Sequence, residues 1–309
     1  MRRRAVLAVR LGAFAIACAG MAAAQDGPSP EEWARYRLDG PAPWRFARAV
    51  EAAGYRVALS SPDGRSLEAR VIVHAAPFLV DAPLPPPLAS LSGEARAALA
   101  EQLPEDPALE SMSRRLLADA RTTLEAVERV IAFTARRIRY TLPDGSGETA
   151  SATLTSRRGS CVGRSLLAAE LLLRAGVPAR QVSGILVAGG ARELTSESRT
   201  VYNAALGGVR HRWIEVFVPG LGWVPSDPGG LANTVTARHL ALERQPPAGF
   251  HVDVAGRSAE LKRPALESAD GSVTLYRPRG ASIVEAVEGA PLDPRALAMP
   301  AKPVVPTRR

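Results

Sequence analysis

Apolar residues recur at helical spacing over residues 92–102 and 109–139. Within residues 109–139 they form a single stripe, which is typical of a helix that packs one face against a core. The same pattern predicts a shorter helix over residues 92–102. The stripe consists of Leu124, Val127, Ile131, Ala135 and Ile138.

A further helix is predicted to begin at Cys161 and to end before Gly176. Ser160 is a favourable N-cap because its hydroxyl can accept from a free backbone N–H at the helix start. Gly176 and Pro178 provide the expected stop signal. Cys161 is therefore expected in the first turn of a buried helix, close to the positive end of the helix dipole.

Beyond Pro178 the hydrophobic pattern changes to period two, which predicts strands. The strands are predicted over 182–187, 211–218 and 223–227, with a turn at 219–222. Alternation puts His211 and Trp213 on one face of the second strand and Arg212 on the other. A helix is predicted around His239, after this hairpin.

The segments on either side are predicted to be smaller and less regular. Residues 55–60 and 67–74 should form a β-hairpin, a proline run at 83–87 marks a linker, and residues 25–45 should be irregular. The domain prediction is a signal peptide at 1–24, an N-terminal β-containing module with its linker at 25–90, a catalytic domain at 91–250, a C-terminal β extension of short strands at 251–290 and a disordered Pro-rich tail at 291–309.

The N-terminus has the pattern of a secretory signal. Three arginines at 2–4 precede an uncharged stretch at 11–24 that ends on small residues before Gln25. This stretch is shorter than the roughly 20 residues of a transmembrane helix, so no stable membrane span is expected. Cleavage before Gln25 removes four arginines and no acid, and the formal net charge becomes 8 − 4 = +4. So small an excess argues against nucleic acid as a partner.

The predicted location is therefore the periplasm or the cell exterior. An alternative is lipid attachment at Cys18, because Ala15-Ile16-Ala17-Cys18 resembles a weak bacterial lipobox.

Cys161 is the one cysteine that lies beyond the predicted signal, so the mature chain cannot form an internal disulfide. A thiol is a nucleophile as its thiolate, which a helix N-terminus and a neighbouring imidazolium both stabilise. His211 can supply the base, and Asp227 can supply the carboxylate that orients it. Each alone also has a structural explanation: a buried core cysteine, a core or surface histidine, and a turn residue before a proline.

Four segments in order resemble the transglutaminase-like superfamily, over roughly residues 120–245. The resemblance implies an α+β, papain-like core in which a nucleophile helix packs on an antiparallel sheet. It implies a Cys161 nucleophile, a His211 base and an orienting Asp227. The segments are Arg158-Gly159-Ser160-Cys161, Leu173-Arg174-Ala175-Gly176-Val177-Pro178-Ala179-Arg180, His211-Arg212-Trp213-Ile214-Glu215-Val216 and Gly222-Trp223-Val224-Pro225-Ser226-Asp227-Pro228.

Two neighbours of the predicted base are candidate substrate-binding residues. Arg212 stands where the family has a small alanine, and it either contacts an acidic group of the substrate or points to solvent. Trp213 can shape the site. The backbone N–H of Cys161 is a candidate oxyanion donor. No His-Glu-x-x-His motif, paired-cysteine spacing or calcium loop occurs in the sequence, so neither a metal nor a cofactor is expected.

The predicted activity is thiol-dependent acyl transfer on protein or peptide carboxamides. Water as the acceptor gives a protease or amidase, and an amine as the acceptor gives a transglutaminase; hydrolysis is the favoured prediction. The alternative is a non-catalytic scaffold of the bacterial envelope with a vestigial triad.

The triad makes a geometric demand on the hairpin, because His211 and Asp227 must share one face of the sheet. An even, four-residue turn would put them on opposite faces. A five-residue loop at 218–222 would pair Phe217 with Trp223 and bring the two side chains within reach. We therefore predict an odd-length loop or a bulge, whose two glycines adopt positive φ.

Overall fold

The computed structural model describes residues 31–64, 66–74, 82–142, 147–187, 207–244 and 246–258, with the backbone of 266–267 and 273–274. The predicted signal peptide, Cys18 and the predicted Pro-rich tail lie outside the described residues. Among the helices of these ranges, none is both long and apolar enough to cross a membrane.

Five helices and thirteen strands are formed by the described residues. The helices are α1 (Gly93–Ala100), α2 (Pro107–Leu117), α3 (Thr123–Arg137), α4 (Ala150–Ser156) and α5 (Cys161–Arg174). The strands are β1 (Glu31–Asp39), β2 (Val50–Ala52), β3 (Tyr55–Ser60), β4 (Leu67–His74), β5 (Arg139–Tyr140), β6 (Arg158–Gly159), β7 (Ala179–Val187), β8 (Gly208–Val218), β9 (Gly222–Ser226), β10 (His239–Leu242), β11 (His251–Arg257), β12 (Leu266–Glu267) and β13 (Val273–Thr274).

Residues 109–139 form two helices, α2 and α3, rather than one, and the predicted apolar stripe lies on α3 and its C-cap residue Ile138. A capping box starts the second helix, α3. The hydroxyl of Thr122 accepts from the N–H of Glu125 at 3.3 Å, and the Glu125 carboxylate accepts from the N–H of Arg121 at 2.9 Å. This reciprocal arrangement satisfies free donors at a helix start and fixes the chain direction there.

The N-terminal sheet has the strand order β11-β1-β4-β3-β2. It contains the predicted hairpin, β3 and β4, whose register pairs Val57 with Val71. Irregular structure over residues 25–45 is a wrong prediction, because β1 is a nine-residue strand. Strand β11, the first of the predicted C-terminal extension, pairs with β1. This sheet therefore joins segments from both ends of the described chain.

The central sheet is antiparallel with the strand order β10-β7-β8-β9. The three strands predicted around the hairpin, β7, β8 and β9, are confirmed. The predicted helix around His239 is wrong: His239 begins β10 and pairs with Leu186 of β7. All four residues of β10 are buried.

Both faces of the central sheet are covered. Ile214 and Val216 of β8 pack in one core with α2, α3, α4 and α5. Val182 and Trp213 pack in a second core with apolar residues of the N-terminal sheet, among them Tyr36. The fold is therefore α+β in three layers, with α5 on an antiparallel sheet and a strand module beyond it, as the sequence predicted.

Candidate active site

Cys161 begins α5, and the preceding residue fixes the start of that helix. Ser160 is buried, and its hydroxyl accepts from the N–H of Val162 at 3.0 Å, which confirms the predicted N-cap. The carboxylate of Glu148 accepts from the N–H of Ser160 at 2.5 Å and from that of Gly163 at 3.3 Å, and it also accepts from the Ser160 hydroxyl. The thiol therefore lies at a helix start where the N–H groups of Ser160, Val162 and Gly163 are hydrogen-bonded to side-chain oxygens.

The β8–β9 hairpin has the register that the triad requires. Phe217 pairs with Trp223, as predicted, and Val218 also pairs with Gly222, which leaves a three-residue loop. The loop is odd in length because its glycines accept conformations that side chains resist: Gly220 has φ +84° and Gly222 has φ +82°. In this register Asp227 follows β9 on the face that carries His211.

His211 and Asp227 are hydrogen-bonded in the interior of the protein. The Nε2 atom of His211 lies 2.8 Å from Oδ2 of Asp227. The other carboxylate oxygen, Oδ1, accepts from the N–H of Gly229 at 2.8 Å. Asp227 is 3% exposed, so its charge is paired and hydrogen-bonded out of reach of bulk water.

The imidazole of His211 is also hydrogen-bonded to the Cys161 thiol. Because Nε2 is bonded to Asp227, we infer that Nδ1 faces the sulfur. The backbone N–H of Arg212 donates to the same sulfur. The structure therefore brings the three predicted triad residues into one continuous chain of contacts.

Burial and charge act in opposite directions on this cluster. Burial favours the neutral thiol, but the hydrogen bond and positive charge of His211 hold the pKa of Cys161 below its ordinary value. Burial favours neutral imidazole, but the negative charge of Asp227 raises the pKa of His211 to about 10. The pKa of Asp227 is lowered by the same pair, against its own burial. The site favours thiolate, imidazolium and carboxylate.

The family model described as the transglutaminase-like superfamily matches residues 110–228. This range contains Cys161, His211 and Asp227. Residues 110–228 are similar to the transglutaminase-like superfamily.

Three solved structures resemble the chain at low identity. A candidate cysteine protease from Cytophaga hutchinsonii is 14% identical with a TM-score of 0.40, over 75% of this chain and 89% of its own. The periplasmic domain of TgpA from Pseudomonas aeruginosa is 20% identical with a TM-score of 0.40, over 64% and 69%. Red sea bream transglutaminase is 10% identical with a TM-score of 0.28, over 68% and 47%. No protein of curated function matches the sequence.

A second histidine, His239, lies beyond the matched range and reaches the same carboxylate. Its Nε2 atom lies 3.0 Å from Oδ2 of Asp227, and its ring meets that of His211 edge-on with centroids 5.5 Å apart. Burial lowers the pKa of His239, and Asp227 offsets this effect only in part. The sequence analysis missed this residue because it assigned the segment to a helix. The short apolar run after His239 was the available signal for a buried strand.

Trp213 is the first of the two residues predicted to bind substrate. Its side chain is fully buried, with its ring 6.1 Å from that of His211 and close to parallel. Gly184 on β7 makes this possible, because a Cβ at that position would come 2.3 Å from the indole. The second predicted substrate-binding residue, Arg212, is half-buried on the opposite face of β8.

Arg164 is a further charged residue near the triad that the sequence analysis did not single out. It is 9% exposed and lies three residues after Cys161 on α5. Its guanidinium lies over the ring of Tyr140, 5.4 Å from the centroid, and donates to the carbonyl of Ile138. Burial lowers the pKa of Arg164, while Asp227, Tyr140 and Cys161 favour its charged form. It adds positive charge beneath a thiolate and a carboxylate.

His211, Asp227 and His239 also form a group whose ligand atoms lie within 4.8 Å of one another, as metal ligands do. A metal would need the lone pairs of both Nε2 atoms. In the observed contacts those atoms face one carboxylate oxygen at hydrogen-bond distance. Hydrogen bonds from the two imidazoles to Asp227 therefore account for this cluster without a metal ion.

Proposed function

We propose that this protein is an exported cysteine enzyme that transfers acyl groups from protein or peptide carboxamides, with water as the favoured acceptor. The observation that carries the proposal is the buried chain of contacts from Cys161 through His211 to Asp227. A nucleophile, a base that reaches it and a carboxylate that orients the base are the three parts of a hydrolytic triad.

In the first half of the reaction, the Cys161 thiolate attacks the carboxamide carbon and forms a C–S bond. The imidazolium of His211 donates a proton to the departing amine as the C–N bond breaks, which leaves a thioester on Cys161. Asp227 keeps His211 in the required tautomer and stabilises its positive charge. The pKa shifts of the three groups favour this starting state.

In the second half, water attacks the thioester and gives a proton to His211. Collapse of the tetrahedral intermediate breaks the C–S bond, releases the carboxylic acid and restores the thiolate–imidazolium pair. An amine in place of water would give transamidation through the same steps.

The backbone N–H of Cys161 is the proposed oxyanion donor. The N–H groups of Ser160, Val162 and Gly163 are bonded to side-chain oxygens. Within the described part of the chain, no hydrogen bond uses the N–H of Cys161. A donor at the start of a helix, next to the nucleophile, is well placed for the negative oxygen of a tetrahedral intermediate.

Export is part of the proposal and rests on the N-terminal pattern of arginines, an uncharged stretch and small residues. The mature chain is expected to begin at Gln25. Intact-mass analysis of protein from the native envelope would decide. A mass that retains residues 1–24 would contradict export by cleavage, and an added lipid at Cys18 would support anchoring.

Alkylation by iodoacetamide at about pH 6, followed by mass spectrometry of the peptide that carries Cys161, tests the proposal. A thiolate–imidazolium pair alkylates at this pH, whereas an ordinary thiol hardly reacts. Hydrolysis of peptide carboxamides should accompany this reactivity and be lost in Cys161→Ser. An unreactive Cys161 in the folded wild type would favour the scaffold alternative.

A further inference from the structure

His239 is buried beside Asp227, and the triad mechanism assigns it no role. It is 2% exposed, and its Nε2 atom lies 3.0 Å from the same oxygen, Oδ2, that His211 contacts at 2.8 Å. The Asp227 carboxylate is therefore held from three directions: by two imidazoles on Oδ2 and by the N–H of Gly229 on Oδ1.

The tautomer of His239 follows from its other nitrogen. Nδ1 lies 3.2 Å from the backbone nitrogen of Thr236, whose N–H can only donate, so Nδ1 acts as the acceptor. The Thr236 hydroxyl, 2.9 Å from the same Nδ1, can donate as well as accept and is compatible with this assignment. The proton of the neutral ring must then be on Nε2, where it points at Asp227. His239 is thus a neutral donor to the carboxylate, unlike His211, which exchanges protons with the reacting groups.

The N-terminal sheet holds the strand that carries this donor. The Tyr55 hydroxyl on β3 donates to the carbonyl of His239 at 2.6 Å and accepts from the N–H of Ala241 at 3.2 Å. The Tyr36 hydroxyl on β1 donates to the carbonyl of Ala237 at 2.8 Å. Both tyrosines are buried, so these bonds fix the backbone of β10 and of the segment just before it against the sheet.

We propose that His239 is a positioning residue of the active site. Its Nε2–H holds the Asp227 carboxylate ionised and turned toward His211, and the N-terminal sheet holds His239 in place to do so. The proposal rests on the proposed function, because it assigns His239 to the same thiol chemistry. It also gives the N-terminal sheet a role in that chemistry.

Two substitutions separate hydrogen bonding from packing. His239→Gln keeps a side-chain N–H near the position of Nε2, whereas His239→Phe keeps a ring of similar shape without a donor. His251→Phe is the matched control, since His251 also bonds an aspartate at 2.8 Å but lies on β11, outside the active site. Thermal unfolding of each full-length variant checks that it is folded.

The readout is the alkylation rate of Cys161 at about pH 6, which needs no substrate. We expect about a ten-fold lower rate in His239→Phe, at the low end of what outer-shell partners of functional histidines contribute. His239→Gln should stay close to the wild-type rate, and His251→Phe should equal it. A packing role predicts the opposite order, because phenylalanine fills the buried space better than glutamine. Equal rates in the two His239 variants would overturn the proposal.

Nitrogen-15 NMR of histidine-labelled wild-type protein tests the same claim without any substitution at His239. The expected result is a neutral His239 with its proton on Nε2 throughout the neutral pH range. A His239 that is protonated on both nitrogens, or on Nδ1 alone, would contradict the proposal. Slow alkylation of the wild-type thiol itself would instead refute the proposed function, so the two failures are distinguishable.

Discussion

Two histidine–aspartate pairs in this protein have the same separation and different surroundings. His211 and Asp227 in the central sheet lie 2.8 Å apart, with side chains 11% and 5% exposed. His251 and Asp253 on β11 also lie 2.8 Å apart, with side chains 33% and 59% exposed. In water a pair at this distance is weak and salt-screened, whereas in the interior the same contact controls protonation.

The chemistry of a histidine–aspartate pair therefore depends on its burial and on its other partners. The distance between the two side chains does not decide it, because this distance is the same in both pairs. Asp227 receives three hydrogen bonds under cover of two layers, and a thiol lies on the other side of His211. The pair on β11 has no cysteine within reach, because Cys161, the one free cysteine of the described residues, is at α5. Only the buried pair is therefore in contact with a thiol.

The largest expected difference between the pairs comes from replacing each aspartate by asparagine. Asp227→Asn removes the charge that fixes the His211 tautomer, and turnover should fall by about 10³- to 10⁴-fold, as in other triads. Asp253→Asn should leave turnover unchanged. Steady-state kinetics of both folded variants on one peptide carboxamide provide the test. Similar losses at the two positions would show that the buried pair has no special role.

The pH dependence of kcat/KM is a second test of the buried His211–Asp227 pair. The active form needs thiolate and imidazolium together, so kcat/KM should rise with pH through the lowered pKa of Cys161 and fall as pH passes about 10, where His211 loses its proton. The raised pKa of His211 also makes its contribution to folding stability complete below about pH 6.5 and lost as pH rises through about 10. A rate that falls on the alkaline side near pH 6.5 would contradict the buried ion pair.

A smaller effect is expected from adding one methyl group in each sheet. Gly184→Ala would put a Cβ 2.3 Å from the Trp213 ring beneath His211, and we expect it to destabilise the fold by about 1–3 kcal/mol. Gly256→Ala on β11 would place its Cβ no closer than 3.6 Å to Trp33, an ordinary contact. Denaturant unfolding of both variants measures the difference. A Gly184→Ala protein as stable as Gly256→Ala would mean that the Trp213 ring is not where the structure has it.

A similar cost in stability, with only a small effect on turnover, is expected at the link between the two sheets. Tyr55→Phe removes a buried hydroxyl that has a donor and an acceptor partner, which should cost about 1–3 kcal/mol of stability. Because β10 keeps its pairing with β7, turnover should fall only a few-fold. Unfolding and kinetics on the same preparation check both parts. A loss of turnover with no loss of stability would place Tyr55 in the reaction itself.

Local signals in the sequence predicted the nucleophile helix and the hairpin. Ser160 and Pro178 lie on either side of the helix that begins at Cys161. The odd number of residues between Phe217 and Trp223 decides which side chains of the two hairpin strands share a face of the sheet. These features depend on neighbours in the sequence, so the residue types alone constrain them.

Features that depend on distant partners were not predicted. The Asp227 partner of His239 is 12 residues away, and the tyrosine that holds its backbone, Tyr55, is 184 residues away. Strand β1 was missed because a buried acid interrupts its apolar alternation: Glu32 is buried and accepts from the N–H of Ala237 at 2.9 Å. Trp213 was placed on the correct face of β8, but the sequence did not show that the N-terminal sheet covers that face.

Titration of the Cys161 thiolate by its ultraviolet absorbance tests the central claim most directly. The full-length wild type and His211→Ala should be compared, with Cys161→Ser subtracted as the baseline for Cys18 and the tyrosines. We predict a wild-type midpoint below the ordinary thiol pKa of about 8.5 and a higher midpoint in His211→Ala, because the imidazolium charge is lost. A wild-type midpoint at or above the ordinary value, unchanged in His211→Ala, would contradict the account.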